Sequence, residues 1–174
     1  MKRITGVVVL LILFAFGSIK VNAQSVKFGH INSDELIQSL PEFDSANVKL
    51  EKFRKDLINA LELMSVELNN KSEIYNKESK NYTDIVKQTK EQELVDMNKR
   101  IQEFQNNAQQ QLQEKQSELF QPIMAKVDKT IKEIGKENGF VYIFTVGQGS
   151  SLLYFDETKS TNILPLAKAK LGLK

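Results

Sequence analysis

Apolar residues along the middle of the chain recur in 3- and 4-residue steps. Leu50, Phe53, Leu57, Leu61, Met64 and Leu68 form one such seam, and Leu94, Met97, Ile101, Phe104, Ala108, Leu112 and Leu119 form a second. That spacing is the signature of a helix face built to meet another helix. Between Pro41 and Pro122 there is neither Gly nor Pro, the residues that would interrupt a helix. A single rod of that length would reach roughly 120 Å at about 1.5 Å per residue, so a fold-back is expected. Leu50 with Leu119, Leu57 with Leu112, Leu61 with Ala108, Leu68 with Ile101 and Tyr75 with Leu94 all share one numerical sum. One antiparallel hairpin turning near residues 82–87 satisfies every pair. Ser39-Leu40-Pro41-Glu42 fits a capping box launching the first leg. Beyond Pro122 the seam resumes at Ile123, Val127, Ile131 and Ile134, so a kink is expected there and not a stop.

The pattern changes at both ends. Val26 to Ile31 alternates and reads as a strand, and Asn32-Ser33-Asp34 then offers a cap for a short helix through Leu36 and Ile37. Glu137-Asn138-Gly139 reads as a helix C-terminus. Phe140–Val146 and Ser151–Phe155 are apolar on both faces and read as a β-hairpin turning at Gly147–Ser150, and a short helix is expected from about Thr161 to Leu171. The fold class is therefore α+β: a long antiparallel helical hairpin, or coiled-coil arm, on a small β body. The divisions expected are 24–42 for the first part of the body, 43–121 for the arm and 122–174 for the rest of the body. Three short strands with open edges and greasy faces are rarely stable alone. Oligomerisation is expected to complete the body, through Val26, Phe28, Phe140, Val141, Tyr142, Ile143, Phe144, Leu152, Leu153 and Tyr154.

Residues 1–23 change the charge picture. Met1-Lys2-Arg3, an apolar run from Ile4 to Phe16 and Val21-Asn22-Ala23 make a cleavable secretory signal, with the mature chain starting at Gln24. The run is shorter than the ~20 residues that span a bilayer. Removing it takes Lys2, Arg3 and Lys20 from the 24 basic residues, leaving 21 against 22 acidic ones, so the formal charge falls from +2 to −1. No basic patch with interleaved aromatics supports a nucleic-acid partner.

Catalytic chemistry finds little to work with. His30 is the only histidine and there is no Cys, so a metal site would need carboxylates alone. Glu91-Gln92-Glu93 lies on a polar helix, Asp156-Glu157 in a turn, and Gly147-Gln148-Gly149-Ser150 lacks the Lys and the following helix of a phosphate loop. No catalytic residue, metal or cofactor is expected, and the chain does not read as an enzyme.

Lys27 to Asn32 (KFGHIN), the Leu40-Pro41-Glu42 helix start, the long polar hairpin, Tyr154-Phe155-Asp156 and Thr161-Asn162-Ile163 together resemble the Skp/OmpH family of periplasmic chaperones. The family's terminal segments read roughly K-I-G-Y-V-N and Y-x-D…D-I-T, and Asn162 and Leu164 depart from the second. The resemblance implies a homotrimer with a β-barrel body and three arms around a cavity. Its members hold unfolded outer-membrane β-barrel proteins there, in the periplasm and without ATP. Members are often strongly basic, whereas residues 43–121 here carry 12 basic and 14 acidic side chains by count along the sequence. Lipopolysaccharide binding is accordingly not carried over, and weak contact with a membrane surface stays open. The alternative is a structural coiled-coil adaptor or spacer of the cell envelope. Leu63, Val66, Ile74 and Val95 stand off the seams and are the candidate client contacts.

Overall fold

A computed structural model describes residues 26–173 of the protein. The expected signal segment, 1–23, lies outside the described residues. The described residues are mostly helical, with two long helices and one small sheet. In order it forms β1 (Lys27–Ile31), α1 (Ser33–Gln38), α2 (Pro41–Glu78), a 3-10 turn (Ser79–Asn81), α3 (Asp84–Asn138), β2 (Phe140–Thr145), a second 3-10 turn (Glu157–Lys159), β3 (Ser160–Asn162) and α4 (Leu164–Lys170).

The sheet joins the beginning and the end of the chain. β1 is its middle strand, with β2 and β3 parallel to it on either side. Its inner face closes over a core of Ile31, Leu36 and Leu40 from the first forty residues, Ile123, Val127 and Ile134 from the end of α3, and Ile163, Leu164 and Ala167 beyond it. Ile31, Leu36, Leu40, Ile134 and Ile163 are 2% exposed or less. Burying side chains of this size contributes about 1.5–3 kcal/mol each. Gly29 is required by closeness: a Cβ there would sit 3.1 Å from Ile143 and 3.2 Å from Ile163 and Phe140. Lys27 ties the first strand to the end of α3, donating to the Asn138 carbonyl (3.2 Å) with its ammonium 4.2 Å from the Phe140 ring centre. A cation at that end also complements the helix dipole.

Along α2 the residues Leu50, Phe53, Leu57, Leu61, Met64 and Leu68 are half-buried, as are Leu94, Ile101, Phe104, Ala108, Leu112 and Leu119 on α3; Met97 is buried. Leu57, Leu61, Phe104, Ala108 and Leu112 line one small cleft between the helices. Contacts tie the two at both extremes, Glu42 to Lys126 near the sheet and Lys71 to Glu93 and Tyr75 to Glu91 near the reversal. The helices thus run in opposite directions. α3 passes through Pro122 without a break and ends at Gly139, whose φ of 70° is the left-handed conformation Gly adopts at low cost.

Four expectations are corrected. Ser151–Phe155 forms no strand, and there is no β-hairpin after α3: β2 pairs with β1 in parallel, and the chain crosses over residues 146–159 to bring β3 to the far edge. Parallel strands of one sheet need a crossover of about this length. The third strand, Ser160–Asn162, is polar; Thr161 and Asn162 are paired with β1, so α4 begins only at Leu164, helped by Pro165 in its first turn. The capping box does not form, because Ser39 caps the end of α1 and its Oγ donates to the Leu36 carbonyl (2.7 Å). Leu40 becomes the N-cap of α2, and Glu42 turns to Lys126 at 2.5 Å. The reversal occupies residues 79–83, ahead of the expected 82–87, where Ser79, Asn81 and Thr83 favour a turn.

Two measurements check this arrangement. Gly29→Ala should lower thermal stability by about 1–3 kcal/mol through overpacking, and an unchanged melting curve would contradict the close contact. Cysteines replacing Leu68 and Ile101 should cross-link within one subunit. Cysteines replacing Leu68 and Leu112, about 11 residues and roughly 16 Å out of step, should not.

Candidate functional site

Alternation along β1 puts Gly29 and Ile31 inside and Phe28 and His30 outside. Register carries Tyr142 and Phe144 of β2 to the same outer face, opposite Phe28 and His30. The Phe28 and Tyr142 rings stack at 6.3 Å between centres, and Tyr142 and Phe144 stack at 5.9 Å. His30 lies 4.7 Å from the Phe155 ring, and its Nδ1 is 2.9 Å from Ser160 Oγ. The result is a continuous aromatic surface with a single imidazole in it, left open to solvent. Val141 and Tyr142 are more than half exposed, Tyr154 is 82% exposed and Leu153 fully so. Val26 is exposed at the edge, and Leu152 is half-buried. Phe140 and Ile143 point the other way and pack against the chain's own core. The ten residues expected at an oligomer contact therefore divide into an outward set and this inward pair.

The second surface lies on the long helices. Leu63 (72%), Val66 (48%), Ile74 (52%) and Val95 (59%) are all exposed. Val48, exposed as well, was missed by sequence reasoning although the same off-seam test finds it. At about 100° per residue, Val48, Leu63, Val66 and Ile74 fall within roughly a quarter-turn of α2, on the side away from the seam. Ile58, Ile85 and Val86 add further exposed apolar side chains, the last two just after the reversal. Apolar residues here form a stripe without a partner among the described residues.

Between these surfaces the charges are matched locally. Glu93 accepts from Lys71 and, at 3.0 Å, from Lys90, and these lysines, Lys71 foremost, hold its carboxyl below the usual carboxylate range. Glu42 is lowered first by Lys126, and Asp156 first by the Thr158 hydroxyl. Tyr75 and Tyr82 donate to Glu91 and Glu78, which pushes both phenols up. Among the described residues no cluster of three or more His, Asp or Glu side chains could hold a metal ion, and no helix is long and apolar enough to cross a membrane. The arrangement offers apolar contact surfaces and balanced, solvated charge.

A family model described as outer membrane protein (OmpH-like) matches residues 27–171. No curated protein matches the chain.

The sign of the pH effect near the reversal follows from Glu93. A carboxyl lowered in the folded state contributes stability that is present above its unfolded value and lost as pH falls through the folded one. Glu93→Gln should therefore lower the melting temperature at neutral pH, and the difference from the parent should vanish at acidic pH where all carboxyls are protonated. A difference persisting in acid would assign the loss to packing.

Proposed function

The chain belongs to the OmpH-like outer membrane protein family, and from that membership and this geometry we propose a periplasmic holdase chaperone. Family membership points to a chaperone of outer-membrane proteins, with the periplasm as its compartment. In our reading α2 and α3 form an arm, and copies of the chain assemble as a homotrimer through the outer sheet face. Unfolded outer-membrane β-barrel proteins are then held between the arms without ATP.

The observation that carries this reading is a pair of exposed apolar surfaces, one on the sheet and one along α2. Monomeric proteins rarely leave large contiguous apolar patches such as the sheet face bare. The aromatic sheet face, with an open edge on β2 and on β3, suits a rigid self-contact made by Val26, Phe28, Val141, Tyr142, Phe144, Leu153 and Tyr154. The stripe on α2 suits something else. It is narrow, interrupted by polar residues, and matched to a mobile chain that makes many weak contacts. Each side chain of the stripe contributes at most about 1.5–3 kcal/mol when fully buried, and a mobile client realises a fraction of this. Many such contacts still add to a useful affinity through multivalency. A spacer of the cell envelope should be uniformly polar outside, so the exposed stripe disfavours the spacer reading.

Charge decides the mode of capture. With 12 basic and 14 acidic side chains over residues 43–121, long-range attraction to an acidic client is absent. Suppression of aggregation of an unfolded outer-membrane β-barrel should therefore change little between roughly 50 and 300 mM salt, where screening lengths shorten to below about 10 Å. The triple substitution Leu63→Ser, Val66→Ser, Ile74→Ser should weaken it. A tenfold or greater loss of affinity with salt, and no effect of the triple Ser variant, would overturn apolar holding. Tyr142→Asp should convert the assembly to folded monomers in light scattering, since a charge buried without a partner is costly. An assembly that tolerates this change would remove the outer face from the self-contact.

A further inference from the structure

We propose that His30 makes self-assembly of this chain pH-sensitive, as the imidazole set within the aromatic sheet face that neighbouring copies cover. This rests on the assembly reading above, and the experiment below separates the two.

The placement comes from the register. His30 is flanked on β1 by Gly29 and Ile31, both turned into the core, and lies opposite Phe144 and Asn162 on the two neighbouring strands. Its ring is half-buried, with Phe155 at 4.7 Å and Ser160 Oγ at 2.9 Å from Nδ1. A neutral ring offers one donor and one acceptor, so the Ser160 hydroxyl can serve Nδ1 in either tautomer. No carboxylate is hydrogen-bonded to the ring among the described residues.

The titratable groups of the surrounding elements are otherwise engaged. Lys27, on the same strand, is turned to the Asn138 carbonyl and the Phe140 ring. β2 offers only Tyr142, stacked against Phe28 and Phe144, and β3 has no ionisable side chain. In the segment before β3, Asp156 accepts from Thr158 and pairs with Lys159 at 3.4 Å, and Glu157 is exposed. On α1, Glu35 pairs with Lys168 at 2.9 Å, leaving Asp34 exposed in the first turn.

Histidine is the side chain whose charge ordinarily changes between pH 5 and 8. On the bare face, water and the Phe155 ring both accommodate an imidazolium. Under a covering copy of the chain the ring loses that water and is set among the aromatic rings of its own sheet face, with no carboxylate of its own subunit hydrogen-bonded to it among the described residues. Desolvation of this kind disfavours the charged form. A proton therefore binds the bare subunit more readily than the covered one. By linkage, assembly is at full strength above the ordinary imidazole range and weakens as pH falls through it. With one histidine per subunit, the loss between about pH 7.5 and 5.5 is roughly tenfold per subunit in the association constant.

The test is sedimentation velocity on the mature chain at about pH 7.5 and 5.5, beside His30→Phe and His30→Gln, with circular dichroism to follow folding. The parent should dissociate tenfold or more readily at the lower pH while staying helical, and both variants should assemble equally well at the two. If His30→Phe fails to fold, His30→Gln carries the comparison. A parent that assembles equally at both pH values overturns the inference alone, as does equal weakening of parent and variants. A parent monomeric at about pH 7.5 overturns the assembly reading, and this inference with it.

Discussion

The parallel pairing of β1 with β2 and β3 is the constraint on which the rest of the structure depends. It forces residues 27–31 to lie between residues 140–145 and 160–162, so a chain whose middle is almost all helix must bring its two ends together. The core can be complete only when that has happened, since it draws on residues from α1, the last turns of α3 and α4. Closing loops of this size has a high entropic cost that must be met before the long-range contacts form, and such folds form slowly. The long helices lessen the difficulty. A turn at 79–83 and an apolar seam return the chain close to its starting point through local contacts. Salt bridges of α4 to Glu133 and Glu137 of α3 and to Glu35 of α1 then tie the last helix down.

A single sheet of this kind can cover only one of its faces. The inner face has α1, the end of α3 and α4 to pack on, whereas among the described residues no helix covers the outer face, where Phe155 packs on His30. This asymmetry sorts the large apolar residues of β1 and β2 into two sets, Phe140 and Ile143 inward, Phe28, Tyr142 and Phe144 outward. It also places the one histidine, His30, on the outer side, beside Phe155 and Ser160. On the long helices the same logic holds in weaker form: the seam satisfies one side of each helix and leaves the other for water, matched charges and a sparse apolar stripe.

What was legible in the sequence was what periodicity encodes. The seam residues of both long helices are those the structure half-buries, and the off-seam Leu63, Val66, Ile74 and Val95 are exposed as their spacing required. β1, a helix cap within Asn32-Ser33-Asp34 (the structure uses Asn32) and the Gly139 terminus were equally plain, each resting on local chemistry. The end of the chain was not. Ser151–Phe155 has the composition of a strand but no strand partner among the described residues, while Ser160–Asn162, too short and too polar to show any alternation, is paired because β1 presents an open edge and His30 reaches Ser160. Strand pairing is a long-range property, and three residues carry no pattern that announces it. The capping box failed for a related reason, since Ser39 was claimed first by the helix that ends on it. Division of the apolar strand residues between inner and outer faces needed the register, which the bulge between Lys27 and Phe28 shifts.

The central claim is that assembly belongs to the sheet and client holding to the long helices. It is tested most directly by replacing residues 51–118 with a short turn, which keeps Leu50, Leu119 and the whole core, and measuring oligomeric state and aggregation suppression on the same sample. The account predicts an oligomer of the parent's subunit number that no longer protects an unfolded outer-membrane β-barrel. A folded monomer, or an oligomer that protects as well as the full chain, would contradict it.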